Sequence, residues 1–208
     1  FGEWDDAQYT LAQLRKLTYP GAFLIRQALV AEKQENHTAA IAYLRSELRQ
    51  NPLGSSSLLF IAQLAGSEAY RPIIEQSILE FDSLKDSPRG SLDFLAAAYW
   101  ELGEQDKALA LSEQGKSRDC QGQDKDMQQN CTSWYDALVH QDLNKNIIAM
   151  NRIVKENPGR SDYIDTLSVL YRANGENEEA YKLAKRAVIL SGADPYMMWQ
   201  MLYKRESK

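Results

Sequence analysis

The sequence predicts an all-α protein built as an array of antiparallel helix pairs. Three observations predict it: apolar positions that recur with a period of 34, small residues at two fixed places in each period, and prolines placed between helix pairs. Leu24, Ala28, Ala31 and Ala40 are followed 34 residues on by Leu58, Ala62, Ala65 and Ile74, and after a further 34 by Leu92, Ala96, Tyr99 and Ala108. A spacing of 72 leads on to Ile164, Ser168, Tyr171 and Ala180. Self-similarity at this length signals one supersecondary unit repeated, because a single helix pair cannot bury its apolar face and must stack on a neighbour. Pro20, Pro52, Pro88, Pro158 and Pro195 fall between pairs, where proline ends one helix or opens the next, and Pro72 stands at a tolerated first helical position.

Two stretches carry the pattern most fully, Leu92 to Ala108 and Leu167 to Ala187, with Tyr171, Gly175, Glu179 and Ala180 in the second. In these residues the chain resembles the tetratricopeptide repeat (TPR), a 34-residue helix–turn–helix. The resemblance implies a right-handed superhelical array of antiparallel helix pairs, a TPR-like α-solenoid. Small residues at repeat positions 8 and 20 let helix A and helix B approach closely, and larger ones at positions 4, 7, 11 and 24 fill the groove around that contact. Position 15, in the A–B turn, needs a left-handed residue, and Gly103 and Gly175 occupy it. The second repeat has Ala69 there and the fourth Gln141.

The elements follow in order. Residues 1–20 read as a lone helix, because Gly2-Glu3-Trp4-Asp5-Asp6-Ala7 matches an A–B turn and the start of a helix B. Its helix A would then precede residue 1, which makes the chain a fragment of a longer solenoid; the other reading is a single capping helix. Residues 21–54, 55–88 and 89–122 are repeats 1 to 3, the last with a loop extension to 126. Residues 127–160 are a divergent fourth repeat with Trp134 and Ala137 where Ala and Tyr are expected, and 161–194 are the fifth. Residues 195–208 form a capping helix with a polar end, as a terminal repeat requires. All belong to one domain.

Both cysteines, Cys120 and Cys131, flank the polar stretch 117–132, which lacks apolar periodicity and reads as a loop. They suit a disulfide; closing a loop of this size could contribute about 3 kcal/mol and would place the protein in an oxidising compartment. The alternative is two thiols in a cytoplasmic protein. Ten intervening residues and no nearby His do not make a zinc site. Asn36-His37-Thr38 and Asn130-Cys131-Thr132 match the glycosylation pattern, but chance alone supplies about one such match in this composition, so two carry no evidence.

Enzyme signatures are absent. His37 and His140 lie in predicted turns far apart in sequence, and no nucleophile elbow, phosphate loop or dinucleotide motif is present. Adjacent acids such as Glu178-Glu179 fall in first turns of helices, where they favour the helix dipole. Catalysis, cofactors and metals are therefore not expected. A net charge of −5 over 208 residues argues against a phosphate-backbone binder, so no nucleic acid is expected either. No apolar run approaches the ~20 residues that span a bilayer.

What the resemblance implies instead is a concave face, lined by the A helices, that takes a partner polypeptide. Carried over by repeat position, it comprises Ile25, Arg26, Leu29 and Lys33; Leu59, Phe60 and Gln63; Asp93, Phe94, Ala97, Trp100 and Glu101; Tyr135, Leu138 and Val139; and Asp162, Asp165, Thr166, Val169 and Arg172. The cationic clamp by which some TPRs hold a carboxyl-terminal tail is missing: Ile25 and Leu29, then Phe60, then Gly90 and Phe94 stand in its places. An apolar groove anchored by Phe60, Phe94 and Trp100 follows, unless those rings pack inside the array. The expected function is a non-catalytic protein–protein interaction scaffold, in a bacterial envelope or secretory assembly system and hence periplasmic or otherwise extracytoplasmic. Two alternatives stand beside it: a regulatory or substrate-presenting part of a larger enzyme, and self-association through the first helix.

Overall fold

The computed structural model describes residues 21–50 and 92–192, and every described element is α-helical. The expected helices over 1–20 and 195–208, and the whole second repeat, lie outside the described residues. The sequence reading runs 1–208 as one domain; by compactness the chain divides into two units, Phe1–Ser91 and Leu92–Lys208. A repeat touches only its neighbours, so a linear array has natural planes of division between hairpins.

In the first unit, α1 (Gly21–Lys33) and α2 (His37–Gln50) form one hairpin. Leu24, Ala28, Ala31, Ala40 and Leu44 are buried along its seam. The turn closes with the Asn36 backbone N–H donating to the Ala31 carbonyl, while the Asn36 side chain accepts from the Ala39 N–H and caps α2.

The described residues of the second unit form three hairpins: α3 (Leu92–Glu101) with α4 (Gln105–Asp119), α5 (Lys125–Leu138) with α6 (Leu143–Glu156), and α7 (Ser161–Ala173) with α8 (Asn177–Leu190). The first helices touch in sequence, α3 on α5 and α5 on α7, and α4 and α6 pack on the hairpin that follows each. These contacts define an α-hairpin stack of TPR-like kind. Its crossings are where the small residues predict them. Ala96, Ala108, Ser168, Ala180, Ala184 and Ala187 are buried, and the Ser168 hydroxyl donates to the Ala180 carbonyl at 2.7 Å, an approach that a larger residue at either place would prevent.

All four described hairpins turn in the same way. A residue just past the first helix takes left-handed backbone, and the next N–H donates five residues back: Asn36 to Ala31, Glu104 to Tyr99, Gln141 to Asp136 and Glu176 to Tyr171. This is the Schellman closure, and Gly103 (φ 84°) and Gly175 (φ 83°) suit it because they carry no Cβ. Glu35 (φ 60°) and His140 (φ 54°) take the same conformation with side chains.

The fourth repeat corrects the sequence reading in two ways. Its turn residue is His140, not Gln141, and a second left-handed residue, Asp142 (φ 45°), makes the turn one longer than the others. The small residue of α5 is therefore Ser133, wholly buried, and not Trp134. Opposite it, where the other hairpins have Ala, stands Asn146. A buried amide needs partners: it accepts from Ser133 Oγ and Gln129 Nε2, both at 3.2 Å, and donates to Asp136 at 2.8 Å. Asp136 in turn accepts from Lys116 Nζ at 2.7 Å.

The second correction concerns 117–132. The helix α4 runs through Asp119 and α5 begins at Lys125, so the polar loop is only Cys120–Asp124, and Cys131 lies in a helix. Helix forms there without apolar periodicity because the Asp124 carboxylate caps α5, accepting from the N–H groups of Asp126 and Met127.

Candidate functional site

The A-helix face of the second unit is built by α3, α5 and α7, and its expected aromatic anchors fare differently. Phe94 retains 2% of its surface and Tyr135 3%; both are core, and neither presents a surface to a partner. Tyr135 points between helices. Its ring lies on Gly115 of α4, where even a methyl group would come within 2.2 Å of it, and its hydroxyl donates to Asp119. Burial, the nearby Asp93 charge and the bond to Asp119 hold that phenol far above its ordinary range. Burial acts against the Asp119 carboxylate, but the bonds it accepts from Arg118 and Tyr135 prevail and hold it below the usual value. Trp134 is also buried, with its indole N–H donating to Asp93 at 3.0 Å. Leu138 and Val139 are likewise buried.

Trp100 remains half-buried in the last turn of α3. Its ring faces that of His140, 5.1 Å away between centroids and tilted by 31°. Beside it Glu101 closes α3, and Arg172 stands in the last turn of α7. Arg172 acts on both neighbours. Glu101 and His140 are both exposed, yet desolvation by the surrounding protein holds the Glu101 carboxyl above its ordinary value against the opposing pull of Arg172, and desolvation together with Arg172 holds the His140 imidazole below its own. The Trp100–His140 ring contact thus joins the first two hairpins of this unit, and Arg172 of the third acts on Glu101 and His140 through its charge.

In the first unit, Leu29 is buried and Arg26 half-buried. Ile25 lies in α1. Leu59, Phe60 and Gln63 lie outside the described residues. Of the fifth repeat's face, Asp165, Thr166 and Val169 are buried, and Asp162 is held by Arg160.

His140 is the member that the sequence did not single out. It reads as a lone turn histidine, and only the extra turn residue, which shifts α5 by one place, brings it over Trp100. The signal available was the mismatch itself: moving the repeat by one residue puts Ser133 on the small position.

Cys120 and Cys131 stand at disulfide distance, with Cα atoms 5.4 Å apart. They join the end of α4 to α5, beside the Gly115–Tyr135 contact. Among the described residues no three His, Cys, Asp or Glu side chains converge as a metal site, and no helix is long and apolar enough to cross a membrane.

No family model matches the chain, and no curated protein matches it. Among solved structures it is similar to a tetratricopeptide repeat protein from Parabacteroides merdae, at 14% identity over 86% of this chain and 72% of that one, with a TM-score of 0.33.

Proposed function

We propose that the chain is a non-catalytic interaction scaffold whose A-helix face receives a partner polypeptide, with the Trp100 cluster of the second unit as its anchor. The observation that carries this reading is the contrast along that face. Phe94, Trp134 and Tyr135 are spent on packing, whereas Trp100 stays half-buried, with the His140 imidazole against its ring, Glu101 next in sequence and the Arg172 charge acting on both. A half-buried indole beside polar groups suits a binding hot spot. The surface so defined is more polar than one anchored by Phe94 would be.

The cysteine pair supports a location outside the cytoplasm, since such bonds persist where the compartment is oxidising. An envelope or secretory assembly role belongs to the same proposal. Trp100→Ala tests the binding reading: capture of the native partner falls by tenfold or more, while far-UV circular dichroism and the melting temperature stay near those of the parent. Unimpaired capture contradicts it. Quantifying free thiols in denatured protein from the native source tests the location; two reactive thiols count against it.

A further inference from the structure

We propose that a disulfide between Cys120 and Cys131 is a redox latch on residues 121–132: closed, it holds the opening turns of α5 in helix, and opened by a dithiol it lets them unwind as far as Ser133 while the hairpin stack stays folded. The observation behind it is a change of environment halfway along one helix. Over residues 121–132 no residue is buried, and the only large apolar side chain, Met127, is 38% exposed. Over residues 133–139 every residue is buried. A helix in a protein draws most of its stability from packing an apolar face, and a short stretch without one is marginal in water. The opening turns of α5 therefore depend on other ties.

Among the described contacts those ties are few. The Asp124 cap fixes where α5 begins. Asp126 meets Arg152 of α6 at 3.6 Å, a partly exposed pair of the kind that contributes little. Gln129 donates to Ser133 and Asn146 at the buried boundary. The cysteine pair is the covalent tie, and it brackets the segment: Cys120 caps the end of α4 and is 2% exposed, while Cys131 lies at the far end of the unburied stretch. Beyond it the junction of α4 and α5 is held independently, by the Tyr135 hydroxyl on Asp119 and by Lys116 on Asp136. Opening the pair thus frees the segment and leaves the junction in place. Cys131 is half-buried, so an incoming thiolate meets its sulfur before that of Cys120. Attack there joins the dithiol to Cys131 and expels the Cys120 thiolate, which takes up a proton; the second thiol of the reagent then displaces Cys131, protonated in turn. The pair gains two electrons and two protons, and the dithiol leaves as its own disulfide.

The oxidised pair is shared with the location reading above; the unwinding is not. Amide hydrogen exchange on the full chain compares the oxidised protein with the same protein reduced by dithiothreitol and with the double variant Cys120→Ser, Cys131→Ser. The first N–H groups of any helix exchange readily, so the informative amides are those of residues 128–132. In both open forms they are expected to exchange about tenfold faster or more, while those of residues 134–138 and of α7 change by less than about twofold. Glutathione, a monothiol added in limiting amount and quenched with acid, is expected on Cys131. Equal exchange of residues 128–132 in the closed and open forms overturns the latch. So does acceleration spread evenly over α3 to α8, which would make the bond a staple of the whole unit, and so does glutathione recovered on Cys120. Two free thiols in protein from the native source, beside the expected exchange pattern in the oxidised and reduced forms, mark failure of the location reading alone.

Discussion

Gly115 and Phe94 show how much one side chain decides. Gly115 sits within a helix, where glycine is ordinarily unfavourable by about 1 kcal/mol, and the Tyr135 ring explains it. Gly115→Ala forces that buried ring to move, and we expect a loss of about 1–3 kcal/mol in denaturant unfolding. Tyr135→Leu in the same chain should recover part of the loss, and a double-mutant cycle that shows no coupling would exclude the contact. Gly175→Ala acts by another route: nothing lies within 4 Å of the added methyl, so only the left-handed backbone opposes it, and the expected cost is about 1 kcal/mol. Phe94→Ala should destabilise by about 3–5 kcal/mol because the ring is core. Sequence periodicity put Phe94 and Trp100 on the same face; burial separates them, because neighbouring helices decide which positions of a face stay open.

At the level of helices, the junction between α4 and α5 is held by a disulfide-distance pair, the Lys116–Asp136 ion pair and the Tyr135–Asp119 bond. Burial alone would weaken the Lys116 ammonium, yet its bonds to Asp136 and Glu113 hold it above the ordinary lysine value. Replacing both cysteines by serine should lower stability by about 3 kcal/mol, the chain-entropy value for a loop with a sequence separation of 11. Equal melting of the two forms would show the pair to be open in the native protein. The close crossings at Ala28, Ala96 and Ser168 were legible because a larger apolar residue there would force the helix pair apart. The fourth hairpin was not, since Ser133 and Asn146 meet the same steric demand with hydrogen bonds, and the extra turn residue displaces everything before it. Helix at 125–132 was hidden for a related reason: its stability comes from the Asp124 cap and the neighbouring helix, and its outer face has no apolar rhythm to read.

For the molecule as a whole, acid stability follows from where the folded state moves each proton equilibrium. His140 titrates lower in the folded state than in the unfolded one, so its contribution is complete above the unfolded value of 6.5 and is lost as the pH falls through the folded one. Asp119 and Asp162, lowered by their arginine partners, contribute above the unfolded value of 3.8 and lose that contribution at lower pH. Glu101 is raised, and it works in the opposite sense: as the pH falls toward 4.5 the folded state takes up its proton first, which adds stability. Melting temperature against pH should therefore show a small step below 6.5 that His140→Gln removes, a partial offset between that step and 4.5, and a steeper decline below 3.8. The function turns on which surface a partner meets, and site-specific photocrosslinking in the native organism reads that directly. A photoreactive phenylalanine analogue at Trp100 is predicted to yield one dominant protein adduct, and the same analogue at Ile148, 74% exposed on α6, none. Adducts of equal yield at both places, or at Ile148 alone, would contradict the A-helix face as the binding surface.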